Sequence, residues 1–287
     1  MDIQWYPGHM TKARRMLVDS LKLVDVVVEL IDARAPLSSR NPDFDEVFAG
    51  KRRVLVLNKT DLADPNKTRA FVQYFREQGE QVFAFSALAP RAPKEVIQRI
   101  ELAAEDLISR AKLRGMNKTV RAMTVGIPNV GKSTFINRLR GGAPAKASDR
   151  PGVTRGKQWI IINSHLEFFD TPGMLWPKFD DQEAARRLAF LGSVRDEIMD
   201  GERLCSELLE FLSQAYPEAL ASRYKLKGMG GTGYELLEDA CRGRGWLMSG
   251  ARPDTARGAA VILDEFRAGK LGPMTLDDVP AEDEQDV

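Results

Sequence analysis

Residues Gly126-Ile127-Pro128-Asn129-Val130-Gly131-Lys132-Ser133 carry the spacing Gly, four free positions, Gly-Lys-Ser. Glycines at those positions let the backbone curl until successive N–H groups converge on a β-phosphate. The positive end of a following helix adds its own attraction. Lys132 would reach the β- and γ-phosphates, the Ser133 hydroxyl would hold Mg²⁺, and Asn129, Val130, Gly131 and Thr134 would complete the nucleotide-contacting set. A glycine-bearing turn with a chance Lys-Ser is the plainer alternative. Against it stand the flanks: an apolar run, Met123-Thr124-Val125, leads in, and a helical one, Thr134 to Leu139, leads out.

Asn58-Lys59-Thr60-Asp61 is the second constellation. Guanine presents its N1–H and its exocyclic amino group side by side, and a carboxylate at Asp61 can accept both. Adenine has no such donor pair and would leave a buried charge unpaired, which is costly enough to discriminate strongly. Lys59 would lie along the base plane, Asn58 would tie this loop to the phosphate loop, and the Ala87 N–H, after Ser86, could donate to guanine O6. Four residues alone are a weak signal; their place at a strand end, with Ser86-Ala87 at the next, strengthens it.

Asp170-x-x-Gly173 is the third. Asp170 would hold Mg²⁺ through water, and the Gly173 N–H would contact the γ-phosphate. Thr154 is the candidate in its loop to close on the metal and the γ-phosphate. Positioned phosphates, a metal and charge-stabilising donors are what phosphoryl transfer to water requires. His9 could orient that water or accept its proton, carried on a Pro7-Gly8 loop ahead of the first helix.

These residues need elements to hold them. Val24 to Ile31, Arg53 to Leu57 and Gln81 to Phe85 read as strands, and helical patterns cover Met10 to Leu21, Asn66 to Gln78 and Pro93 to Arg114. Alternation of strand and helix with short connections predicts an α/β, doubly wound and mostly parallel sheet, with ligands at the carboxyl ends of its strands. Gln158 to Ile162 and Leu166 to Phe169 read as a hairpin. Past Asp181 the pattern is helical, at Glu202 to Ala215 and Ala256 to Phe266. Between them lies a turn-rich stretch bearing Arg223, Lys225, Lys227, Arg242 and Arg244, with Trp246 nearby, suited to RNA phosphates with some stacking. The expected layout is therefore residues 1–180 as a nucleotide domain with an N-terminal helix, 181–279 as a small all-α domain, and 280–287 as an acidic disordered tail.

The base-reading residues precede the phosphate loop, and Asp170 to Gly173 comes last. That is a circular permutation of the usual order, with the Pro93 to Arg114 helix joining the old end to the old beginning. At 287 residues, with 43% hydrophobic and 29% charged residues, the chain has room for two cores. A formal net charge of +1 excludes a globally basic nucleic-acid binder, so any RNA contact must be local. Two cysteines, Cys205 and Cys241, are too few for a disulfide framework and suggest a reduced, cytoplasmic setting. No apolar run is long enough for a membrane span, and the first residues lack the layout of a secretory signal.

The permuted order, together with Trp5-Tyr6-Pro7-Gly8-His9-Met10, Asp32-Ala33-Arg34-Ala35-Pro36, the phosphate loop, Asp170-Thr171-Pro172-Gly173 and the closing Phe266 to Gly272, resembles the circularly permuted GTPase family of ribosome biogenesis GTPase A. The resemblance covers nearly the whole chain. It implies GTP hydrolysis in late assembly of the large (50S) ribosomal subunit, stimulated by that particle, with ribosomal RNA and ribosomal proteins as partners. It also implies an RNA-binding C-terminal domain, a role for His9, and a K⁺ ion held by Asn129. One departure is Met174, which stands where many GTPases place a water-orienting glutamine. A nucleotide-sensing module that scarcely hydrolyses GTP therefore remains an alternative; a transfer-RNA-modifying GTPase is disfavoured by the permutation.

Overall fold

A computed structural model describes residues 8–141, 159–176, 179–194 and 199–281. The chain divides into two compact units: Met1–Ala184 with Thr275–Val287, and Ala185–Met274.

The first unit is built on a six-stranded sheet of order β3-β2-β1-β4-β6-β5. β1 (Val26–Asp32), β2 (Arg52–Asn58), β3 (Val82–Ala84), β4 (Val120–Val125) and β6 (Leu166–Asp170) run parallel, and β5 (Trp159–Asn163) pairs antiparallel with β6. Every residue of β1 is buried, as a β-branched apolar run covered on both faces should be. α1 (Gly8–Ser20), α2 (Asp43–Val47), α3 (Pro65–Glu77), α4 (Ala92–Ala103), α5 (Glu105–Leu113) and α6 (Lys132–Arg140) complete the unit. α3 starts where Asp64 accepts from the Asn66 and Lys67 N–H groups with proline at its first turn, a strong start signal. Leu17 and Leu21 join Val27, Phe44, Phe48, Met123, Val125, Phe169 and Met174 in one apolar cluster, which fixes α1 to the sheet.

Three expectations are displaced. The helix expected over residues 93–114 is two helices, because α4 buries Val96 and Ile100 on the sheet while α5 has no fully buried side chain. The chain diverges at Ala104, itself buried. His9 lies inside the first turn of α1 rather than ahead of it. Residues 275–279, expected with the helices, group with the sheet. The reason is Asp277: fully buried, it accepts from the Leu37 and Ser38 N–H groups (2.7 and 2.9 Å) and from the Ser38 hydroxyl. Leu276 N–H donates to the Arg34 carbonyl beside it.

The second unit is helical: α8 (Gly201–Ala215), α9 (Pro217–Tyr224), α10 (Gly233–Arg244) and α11 (Thr255–Arg267), entered through α7 (Gln182–Phe190). Leu204, Leu208, Leu212, Leu237, Ile262 and Phe266 recur at helical spacing and are buried. Both cysteines are free and buried here. The basic stretch expected to be turn-rich is mostly helix, since Leu220, Tyr224, Leu236 and Leu237 supply apolar faces and Thr232 with Glu235 forms a reciprocal cap. No helix among the described residues is long and apolar enough to cross a membrane.

Candidate nucleotide site

In a parallel sheet all carboxyl ends lie on one edge, and the site is assembled there. β2 ends in Asn58, β3 leads to Ser86, β4 leads to Gly126 and β6 ends in Asp170. Residues far apart in sequence are thereby brought together.

The phosphate loop leaves β4, and α6 begins directly at Lys132 after Gly131 in the left-handed region (φ 99°). A Cβ on Gly131 would lie 2.7 Å from the Asn58 amide nitrogen, so only glycine fits. Val130 is buried and Asn129 exposed at φ 57°, the left-handed turn that asparagine tolerates; Thr134 is exposed one turn in. The Lys132 ammonium is buried within the curl and donates to the carbonyls of Gly126 (3.1 Å) and Ile127 (2.8 Å). Burial lowers its pKa to about 8, the Asp170 charge working against that shift and the Lys59 charge adding to it.

On the metal side the Ser133 hydroxyl donates to Asp170 Oδ2 at 3.1 Å, and Thr124 Oγ1 lies 3.5 Å from Asp170 Oδ1. Burial raises the Asp170 pKa, opposed by the Lys132 charge and by the hydroxyls of Ser133 and Thr124. A partly buried carboxylate beside a hydroxyl is a hard oxygen donor pair that fits Mg²⁺. Gly173 presses against the phosphate loop: a Cβ there would meet Pro128 Cα at 2.6 Å. The next residue, Met174, donates its N–H to the Gly126 carbonyl (3.1 Å) and buries its side chain in the apolar cluster with Leu17.

On the base side the Asn58 amide donates to the Val130 carbonyl at 2.8 Å. Asp61 is exposed, and its Oδ1 accepts from the Ser86 hydroxyl at 2.8 Å, which orients the carboxylate. Ser86 and Ala87 follow Phe85, whose N–H donates to the Leu57 carbonyl, so the two loops share one anchor. Lys59 (φ 61°) donates to the Asn129 carbonyl and to the buried Asp32 carboxylate, both at 2.7 Å. Asp32 and Arg34 were visible in the sequence only as part of a motif without a chemical role. The available signal was an acid at the end of a buried strand, with a base two residues on.

His9 has its backbone in α1, but its side chain lies outside what the structure describes, and Thr154 lies outside the described residues. Of the five basic residues assigned to RNA, Arg223 pairs with Glu265 through both ends of its guanidinium, and Arg242 pairs with Glu238 and Asp239 on the surface. Lys225 and Lys227 are exposed, and Arg244 lies over the Trp246 ring at 5.8 Å. Arg223, Arg244 and Lys270 line an open hollow of about 380 Å³ with Ser222 and Gly272. Lys270 was visible in sequence only as part of the closing Phe266 to Gly272 stretch, without a role, because only the fold brings it beside α9.

Residues 121–213 match the family described as 50S ribosome-binding GTPase. The chain is 44% identical over 287 residues to ribosome biogenesis GTPase A of Priestia megaterium, covering 99% of each, and 31% identical to that of Thermotoga maritima, covering 99% and 98%. Among solved structures it is similar to GDP-bound YlqF (TM-score 0.69, 28% identity, 92% and 98% covered) and to GNP-bound YlqF of T. maritima (TM-score 0.65, 28% identity, 93% and 100% covered). Full-length likeness to relatives bearing one name agrees with a strand–loop–helix that has the spacing of a phosphate loop at the carboxyl edge of the sheet. This chain is a GTPase of the ribosome biogenesis GTPase A family.

Proposed function

We propose that this GTPase acts in the cytoplasm during late assembly of the large ribosomal subunit, that the precursor particle stimulates its turnover, and that the helical unit contacts ribosomal RNA. The full-length likeness to ribosome biogenesis GTPases carries this reading. In the nucleotide site Lys132 and the Gly131 to Thr134 backbone hold the phosphates, and Asp61 with Ala87 reads guanine. Ser133, Asp170 and Thr154 are the residues to hold Mg²⁺, which neutralises charge on the phosphate oxygens. Gly173 N–H would meet the γ-phosphate, and Asn129 is the residue that would hold a K⁺ ion, whose charge would offset that of the phosphates. Lys225, Lys227 and Arg244 are the exposed cations for RNA, with Arg223 and Arg242 drawn partly into ion pairs.

The buried Met174 favours a second reading, a nucleotide-state module that recruits a partner without appreciable turnover, since a thioether cannot place water. GTP turnover measured with and without purified large subunits separates the two. Stimulation supports the assembly GTPase; nucleotide-dependent association without faster turnover supports the module.

A further inference from the structure

At the end of β1 a carboxylate sits where solvent does not reach. Asp32 is 1% exposed and Arg34 2%. Asp32 Oδ1 accepts from the Arg34 N–H (3.1 Å) and Nε (3.0 Å), while Oδ2 accepts from Arg34 Nη2 (2.9 Å) and from Lys59 Nζ (2.7 Å). Burial works to raise the Asp32 pKa, and the Arg34 and Lys59 charges overcome it, holding the carboxyl well below the usual carboxylate range. A buried ion cluster of this kind is weak evidence for stability, because desolvation cancels much of the attraction. What it supplies is a fixed point.

Lys59 needs one. Its backbone has φ 61°, a left-handed conformation that is costly for a non-glycine residue and persists only when neighbours over-determine it. A lysine carries a long, rotamer-rich stem, and a base-stacking role requires that stem to stop in one place. Its ammonium has two anchors, the Asn129 carbonyl in the phosphate loop and the Asp32 carboxylate. Of these only Asp32 is charged and itself immobilised, with Arg34 donating to both of its carboxylate oxygens. Asp32 also pairs with Asn58 in the β1–β2 register, so it lies beside the end of the strand that leads into the base loop.

We propose that Asp32 is a positioning residue for guanine-nucleotide binding: held by Arg34, it fixes the Lys59 ammonium so that the lysine stem is laid out as the floor for the base. The proposal rests on the reading of Asn58 to Asp61 as the guanine loop. The test is a double-variant cycle on the full chain, with GDP affinity read by calorimetry for Asp32→Asn, Lys59→Met and the two combined. Asp32→Asn is expected to weaken GDP by about tenfold, and the combination to bind within about twofold of Lys59→Met alone, since a residue acting through Lys59 has nothing left to act on. Because Asp32→Asn leaves Arg34 buried without its counter-charge, the cycle is repeated in an Arg34→Met background, where both buried charges of the pair are removed together. Losses that add in both backgrounds, or unchanged GDP affinity in folded Asp32→Asn, overturn the role of Asp32. Wild-type affinity in Lys59→Met would instead bring down the guanine-loop reading, and the proposal with it.

Discussion

The Asn58 amide donates to the Val130 carbonyl oxygen at 2.8 Å across 72 residues of chain. With the Lys59 bond to the Asn129 carbonyl it fastens the base-reading loop to the phosphate loop, whatever the order in which the chain lays them down. A permutation preserves such a site because the contact depends on neighbouring strand ends and not on connectivity. Asn58→Ala should leave the fold intact, with GDP affinity falling by about tenfold, near the 1–2 kcal/mol of a buried hydrogen bond. Calorimetric titration with GDP checks this, with unfolding midpoints as the control.

We propose that base choice rests on Asp61, whose carboxylate accepts from the Ser86 hydroxyl at 2.8 Å. Asp61→Asn replaces an acceptor pair with one acceptor and one donor. Guanine then loses a partner, and xanthine, with a carbonyl in place of the amino group, gains one. The expected result is a preference for xanthine nucleotides over GDP in competition binding. Ser86→Ala should weaken GDP by only a few-fold without changing base preference, since it alters orientation and not chemistry.

The site was legible because its chemistry is local. A phosphate loop needs glycines at set offsets and a helix after a strand, and Gly126 to Ser133 states all of that within eight residues. The buried strands were equally plain, as a β-branched, nearly continuous apolar run such as Val24 to Ile31 suits a strand covered on both faces. The break at Ala104 was hidden, because α4 and α5 share an apolar rhythm and only docking on the sheet shows which face ends. The return of Asp277 to Ser38 was hidden too, joining residues 239 positions apart with no pattern in either segment. Arg223 read as a free cation, since its partner Glu265 lies two helices later.

Lys132 makes the apo protein sensitive to pH in a defined window. Its pKa is near 8 in the fold and 10.5 when exposed. Between those values the unfolded chain binds more protons than the folded one, so this group makes stability rise with pH from about 8 to 10.5 and contributes no slope well below 8. The rise from pH 7.5 to 9.5 should be on the order of 1–2 kcal/mol. Urea unfolding of nucleotide-free protein at the two pH values reads it, and Lys132→Met should remove that increment.

The helical unit separates an arginine paired with a buried acid from exposed ones. Glu265 is buried, and its hydrogen bonds from Arg223, opposed by desolvation, lower its pKa. Arg223→Ala leaves the Glu265 carboxylate without its guanidinium partner, the Tyr224 hydroxyl still donating to it, and should destabilise the unit by about 1–3 kcal/mol. Arg244→Ala with Lys270→Ala removes cations from the hollow without touching a buried acid. That variant should keep its unfolding midpoint and lose affinity for large subunits, with a shallower dependence on salt. Co-sedimentation at two ionic strengths distinguishes the cases; unchanged binding by the double variant would move the RNA contact elsewhere.

Hydrolysis needs a group to place water, and Met174 is not that group: its side chain is 5% exposed and packs in the cluster with Leu17 of α1 and Leu21 just beyond it. The same packing offers an alternative. α1 is seated against the segment that follows Gly173, and His9 lies in its first turn, eight residues or about 12 Å before Leu17 at a helical rise. An imidazole brought inward when the particle binds could orient water or take its proton, whereas a methionine can do neither. His9→Ala is therefore expected to lower subunit-stimulated turnover by at least about tenfold while GTP affinity stays nearly unchanged, the mark of an interaction made only in the transition state. Asn129→Ala should separately blunt any advantage of potassium over sodium, since an ion there would offset charge developing between the β- and γ-phosphates. Single-turnover rates on large subunits decide it, and a His9→Ala variant that keeps the wild-type rate removes His9 from the mechanism.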